Sequence, residues 1–312
     1  MKTGNLKHIL ALLLALLLLF AMLPTAFAEG EGQDESTEEQ AAAPAEGEAE
    51  ESAGEQSQEE AKPTGLQKLW KDIRENGGFL LVCLAVFAGL FILAWLFERM
   101  LVKNRKSFSD THYIAYTAIF ATMAAVLMLL EIPLFFAPSF YKLDLSELPV
   151  MICTFYLGPV SGVVAEFIKV LLKLLLKGTS TAFVGDFANF AVGCTFVLPA
   201  SVIYHAKPSK KTALLGMAVG TLVMTVFGSS FNALYLIPKF AQLFHMDLDS
   251  IVSMGTKVNS GITSVYTLVL YAVVPFNLLK GVIITALTFL LYKRISPLMH
   301  KGDARRARKK KA

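Results

Sequence analysis

A chain of 312 residues that is 54% hydrophobic and only 17% charged is far too apolar for an ordinary soluble domain. Its net charge of +4 hides a partition, because Glu29 to Lys62 holds 13 of the 25 acidic residues and one of the 29 basic ones. Cys83, Cys153 and Cys194 all lie in apolar runs, which argues against a disulfide framework or a cysteine-rich metal site. No G-x-x-x-x-G-K-[ST] loop, H-E-x-x-H helix or G-x-S-x-G elbow occurs. Self-contained ATP hydrolysis and the commonest hydrolase chemistries are thereby disfavoured, and no catalytic or metal-ligating residue is assigned.

Residues 1–28 have the layout of a secretory signal peptide. Lys2, Lys7 and His8 precede the apolar run Ile9 to Leu23, and Ala26 and Ala28 supply small residues before Glu29. An uncleaved signal anchor is the alternative. The stretch 29–76 is Glu-, Ala-, Ser- and Gln-rich, with no aromatic residue as far as Pro63. It cannot bury enough apolar surface to offset its ordering entropy, which predicts an acidic disordered linker outside the membrane. Gly77 to Phe97 is uncharged and long enough to cross about 30 Å of hydrocarbon. Arg99, Lys103, Arg105 and Lys106 follow, so residues 77–106 are predicted to be one transmembrane helix running outside to inside.

The main domain, residues 107–294, shows apolar segments at Tyr113 to Phe136, Leu148 to Leu176, Ala182 to Tyr204, Thr212 to Ile237 and Gly261 to Tyr292. Five crossings would leave the basic tail, 295–312, outside. Gly158-Pro159 breaks the second segment, since proline cannot continue a helix without losing a hydrogen bond and clashing with the preceding turn. Splitting there predicts six crossings: an all-α integral membrane bundle with Arg99 to Lys106, His205 to Lys211 and the tail all cytoplasmic. The new second helix, Leu145 to Leu157, is too short to span alone and must be sheltered by its neighbours.

Counting from the basic ends at 1.5 Å per residue puts Lys280 about 20 Å and Asn277 about 24 Å above Lys293. Asn189, Asp186, Asn232 and Glu131 fall near the outer boundary by the same arithmetic. An apolar inner half beneath a polar outer bowl suits a solute loaded from outside. Lys280 and Asn277 share a helix face behind Pro275, which should bend the helix and free backbone carbonyls. A lysine at that depth is a functional candidate, or else the partner of Asp186 or Asp144 in a structural ion pair. Glu166 and Lys169, also three apart, read equally as a structural bridge in the inner half of the third helix. Ala121-x-x-x-Ala125, preceded by Ala118, and Gly216-x-x-x-Gly220 permit close helix approach, either inside the bundle or at a docking face. Phe135, Phe136, Phe140, Tyr141, Tyr235, Tyr266 and Tyr271 read mainly as an interfacial belt.

From about Tyr113 to Tyr292 the chain resembles the substrate-binding S components of energy-coupling factor vitamin transporters, most closely the riboflavin-specific branch. The resemblance rests on Tyr141-Lys142-Leu143-Asp144-Leu145-Ser146-Glu147-Leu148-Pro149 and on Leu157-Gly158-Pro159-Val160-Ser161-Gly162 with Glu166 and Lys169. Gly185-Asp186-x-x-Asn189, Asn232-x-x-Tyr235-x-x-Pro238 and Pro275-Phe276-Asn277-x-x-Lys280-Gly281 complete it. Asp186 departs from the family pattern, which has Glu there, and the first hundred residues lie outside the resemblance.

The resemblance implies a plasma-membrane receptor that binds riboflavin as transported ligand, with no cofactor. It would hand the vitamin inward through a coupling subunit and two ATPase subunits. Asp144, Leu145, Asn189, Asn232, Tyr235, Asn277 and Lys280 would line the ligand site, with the loop after the first helix closing over it. The face carrying Ala118, Ala121 and Ala125 would dock the coupling subunit. Membrane lipid is expected around the bundle and nucleic acid is not a partner. The competing readings are an S component for another vitamin, a membrane-anchored interaction protein that uses its acidic linker, and an intramembrane enzyme built on Glu166 and Lys169.

Overall fold

The computed structural model describes residues 73–74, 77–102, 110–138 and 141–309, with 293–309 as backbone only. The expected signal peptide lies outside the described residues, as does the acidic linker except Ile73 and Arg74.

Helix α1, Gly77–Leu101, is uncharged until its last turn. There the Arg99 guanidinium lies 5.3 Å from the centre of the Trp95 ring, an amphipathic pair of the kind found at membrane boundaries. Helix α2, Thr111–Leu129, opens on Asp110, whose extended backbone lets its carboxylate accept the His112 N–H at 3.0 Å. A short antiparallel pair, β1 (Ile132–Pro133) and β2 (Lys142–Leu143), closes the loop that leads to α3, Glu147–Leu157. Helix α4, Pro159–Lys177, follows at once. The predicted break between them is present: Gly158 sits at φ 124°, where a side chain would be strained, and Pro159 begins the next helix with the φ it needs and no donor to lose.

Helix α5, Val184–Ala206, is buried nearly all round and packs against α3 and α4 as well as α6, Lys210–Phe231. Gly216 and Gly220 are what bring α5 and α6 together. A Cβ on Gly216 would stand 2.6 Å from the Ala200 carbonyl oxygen, and one on Gly220 would collide with that of Phe196. This small-residue pair is therefore internal packing. Helix α6 passes through a π-turn, Asn232–Leu236, into α7, Ile237–Leu243, and α8, Leu248–Thr256, follows. A one-turn helix α9, Val265–Leu268, capped by Ser264, leads through a second π-turn, Val269–Val273, into α10, Val274–Lys309.

Each π-turn lies directly upstream of a proline, Pro238 or Pro275. The widened turn accommodates a residue that offers no N–H to the ordinary ladder.

Among the described residues, five helical segments are long and apolar enough to cross a membrane: Gly77–Leu101, Thr111–Leu129, Val184–Ala206, Lys210–Leu243 and Val265–Tyr292. The chain is thus a mostly helical, multi-pass membrane protein. Helix α4 is excluded from that group by its own charges and α3 by its length, about 16 Å for 11 residues. The bundle has a basic pole, where Arg99, Lys207, Lys210 and Lys211 lie, and a loop pole with β1, β2, α7, α8 and α9. Beneath the basic pole Tyr204 and Tyr292 share a hydrogen bond of 2.5 Å beside Phe155. At the loop pole a separate apolar cluster joins Ala137 and Tyr141 to Ile237, Ile251, Ile262 and Leu268.

Candidate functional site

The α3–α4 hairpin turns at Gly158, so residues equidistant from that turn face each other. Glu147, eleven residues before it, meets Lys169, eleven after it, at 3.3 Å. Lys169 Nζ also lies 2.5 Å from Glu166 Oε2 and donates to Ser146 Oγ at 3.1 Å. The far oxygen of Glu147 is 3.0 Å from Lys280 Nζ on α10, and the same ammonium is 3.0 Å from Asp144 Oδ2. Asp144 in turn accepts the Ser146 N–H at 2.9 Å and the Ser146 hydroxyl. Three carboxylates and two ammoniums, none more than 8% exposed, form one chain from α4 through α3 to α10. Gly193 of α5 leaves room for it, since a Cβ there would be 2.7 Å from Glu166 Oε2.

This cluster decides two open sequence readings. Glu166 and Lys169 form the structural bridge that their spacing suggested, and Glu147 extends it to Lys280. Of the two partners considered for Lys280, Asp144 is the one found. Asp186 instead pairs with Lys173 at 2.5 Å.

The amide side of the site lies on α6 and α10. Asn232, in the first π-turn, donates to its own Gly228 carbonyl at 2.7 Å and accepts the Tyr141 hydroxyl at 2.7 Å. Asn277, one turn past the second π-turn, donates to Val273 O at 3.1 Å. The two helices approach at Gly228, where a Cβ would stand 3.1 Å from Asn277 Nδ2. Tyr141 reaches down from the loop before α3 and packs its ring 5.7 Å from that of Phe276. The Tyr235 ring stacks on Phe231 at 5.3 Å. Asn189 keeps a buried Oδ1 without a hydrogen-bond partner, and Leu145 is partly buried just before α3.

Lys280, Asn277, Asn232 and Asp144 are thus gathered around the meeting of α3, α6 and α10. Sequence reading placed Tyr141 in the interfacial belt and gave Glu147 no role. Both stand in the motif that carried the family resemblance, but only the folded hairpin and loop reveal what they touch.

On the expected docking face, the three alanines are not equivalent. Ala121 and Ala125 are 0% and 1% exposed, packed inside the bundle with Ala124, because their small side chains let α2 lie close to its neighbours. Ala118 alone of the three is exposed, in an open apolar groove with Ile119, Thr122, Met123 and Val126.

Membrane-length helices around an internally paired charge cluster and two amides beside π-turns define a multi-pass membrane protein organised around buried polar groups. Over residues 112–292 the chain matches the family described as "ECF transporter, substrate-specific component", and it belongs to that family, a transporter component and not an enzyme. It is similar to the riboflavin transporter RibU of Staphylococcus aureus (strain TCH60), 31% identical over 181 residues that cover 58% of this chain and 88% of that protein. It is likewise 30% identical over 178 residues to the riboflavin transporter FmnP of Bacillus subtilis (strain 168), covering 57% of this chain and 88% of that one. A solved structure described as the S component of a bacterial ECF transporter aligns with 60% of this chain and 97% of that chain, at 31% identity and a TM-score of 0.47. Helix α1 precedes the matched residues.

Proposed function

We propose that this protein is the riboflavin-binding S component of an energy-coupling factor transporter. It takes the vitamin at the loop pole outside the cell and passes it inward with a coupling subunit and two ATPase subunits. The observation that carries this reading is the convergence of Lys280, Asn277 and Asn232 beneath the Tyr141 loop, in a chain whose similar proteins are named riboflavin transporters.

An ammonium has three N–H donors; Lys280 donates one to Asp144 and is ion-paired, without a hydrogen bond, to Glu147 Oε2. A ligand oxygen would take a further donor while the Asp144 pair stays in place. Asn277 donates to one carbonyl of its own helix, and Asn232 donates to Gly228 and accepts from the Tyr141 hydroxyl; each turns toward a polyhydroxylated ligand by exchanging neutral hydrogen bonds, Asn232 together with the Tyr141 loop. Tyr141, Asp144 and Leu145 belong to the segment that closes over it, and Asn189 Oδ1 offers a further buried acceptor.

In this reading the six passes after Thr111 cross the plasma membrane with the basic pole cytoplasmic, by the positive-inside rule. A cysteine at position 209 stays unlabelled by an impermeant reagent in intact cells, and one at position 45 is labelled. The exposed α2 groove at Ala118 is the surface offered to the coupling subunit.

Colour tests the ligand directly. The full chain purified from riboflavin-fed cells should be yellow, and after the flavin is removed, added riboflavin should lose fluorescence on titration. A colourless protein that leaves flavin fluorescence unchanged overturns the reading.

A further inference from the structure

Helix α1 lies outside the family match, yet it is seated on the bundle along its whole length. At the loop pole Phe79 meets Phe187 edge-on at 5.9 Å. In the middle Phe87 stacks on Phe167 at 4.0 Å and tilts against Phe190 at 6.0 Å. Leu90, Ala94 and Phe97 are almost wholly buried against α4 and α5. Apolar packing alone would make an ordinary anchor. At the basic pole, however, α1 buries a carboxylate: Glu98 is 6% exposed, and its Oε2 accepts the Val160 N–H at 3.1 Å, in the first turn of α4. A negative group there satisfies an orphan donor and meets the positive end of the helix dipole.

The same oxygen occupies the space over Gly158, where a Cβ would stand 2.6 Å away. Thr154 and Ser161 both donate to the Gly158 carbonyl, at 3.1 and 2.7 Å, so the turn is held from both sides. That turn sets the register of α3 against α4. The register in turn places Glu147 opposite Lys169, and Glu147 holds Lys280.

We propose that α1 is a fixed helix of the binding domain and that Glu98 is a positioning residue for the ligand site. It clamps the Gly158 turn, from which α3 and α4 carry the charge cluster to Lys280. The effect on the ligand rests on the riboflavin reading above; the clamp itself does not.

The test uses the full chain with Glu98→Gln, which keeps an oxygen acceptor, and Glu98→Leu, which leaves the Val160 N–H orphaned. Three measurements are made: amide hydrogen exchange over residues 157–163, cross-linking of a Phe87→Cys, Phe167→Cys pair by a short bifunctional thiol reagent, and riboflavin titration with its release rate. In Glu98→Leu, exchange over the turn speeds up, cross-linking falls, and riboflavin binds about tenfold more weakly with faster release. Glu98→Gln stays within about twofold of the parent on every count. Unchanged exchange and cross-linking in Glu98→Leu overturns the clamp. A changed turn with unchanged affinity and release overturns the positioning role. Failure of the parent chain to bind riboflavin sinks the functional reading instead, and exchange and cross-linking still decide the clamp.

Discussion

The two sides of the site are built on opposite principles. On the α3–α4 side every charge is matched by another charge within the protein, through Lys169, Glu166, Glu147, Lys280 and Asp144. On the α6–α10 side Asn232 and Asn277 each donate to a backbone carbonyl of their own helix, and a loop tyrosine completes Asn232. Breaking a buried ion pair leaves an uncompensated charge, whereas turning an amide exchanges one neutral hydrogen bond for another. The charged side is therefore suited to fixing geometry and the amide side to adapting to a guest.

The sharpest way to break this contrast is Lys169→Met. It strips Glu166 and Glu147 of their shared cation, and the protein should lose about 3 to 5 kcal/mol of stability, read as a lower thermal midpoint in detergent. Adding Glu166→Gln should restore part of it, because one fewer charge is left unpaired. Full stability in Lys169→Met would mean that the cluster does not hold the fold.

Lys280 tests the boundary between the two sides. Lys280→Met should weaken riboflavin binding by roughly ten- to a hundredfold, since a ligand oxygen loses a buried donor worth about 1 to 3 kcal/mol. Because Lys280 pairs with Asp144, its loss of stability should be relieved by Asp144→Asn and not by Asp186→Asn. Unchanged affinity would remove Lys280 from the site.

A smaller effect is expected from Tyr141→Phe, which keeps the ring against Phe276 and removes only the hydroxyl on Asn232. About 1 kcal/mol, or a fewfold loss in flavin affinity without a change in thermal midpoint, is the expected result. A loss as large as that of Lys280→Met would show that the amide side is as rigid as the charged one.

The smallest effect belongs to the rim, where Glu131 accepts from Lys142 at 2.9 Å and lies 3.0 Å from Lys177. Partial burial pushes its carboxyl up, but the two ammoniums outweigh that and hold it below the ordinary value of 4.5. A lowered carboxylate contributes stability above its unfolded value and loses that contribution as pH falls through the folded one. Stability measured from pH 6 downward should therefore fall less steeply in Glu131→Gln. An identical acid limb would show that these exposed pairs contribute nothing measurable.

The membrane class and the break at Gly158-Pro159 were legible in the chain itself. Length, absence of charge and the missing proline N–H act locally, wherever the segment ends up. The candidate side chains were legible in part: Lys280 and Asn277 stood out because a polar group in an apolar run is costly. Pairing was not legible. The choice of Asp144 over Asp186 for Lys280, the descent of Glu147 to Lys169, and the burial of Ala121 and Ala125 while Ala118 stays exposed all depend on the hairpin register and on how α2, α5 and α10 pack. Glu98 illustrates this most fully. In sequence it is one acid before a basic cluster, and only the seating of α1 on α4 brings it to the Val160 N–H. Local chemistry names which residues need partners, and the packing of helices distant in the chain decides which partners they find.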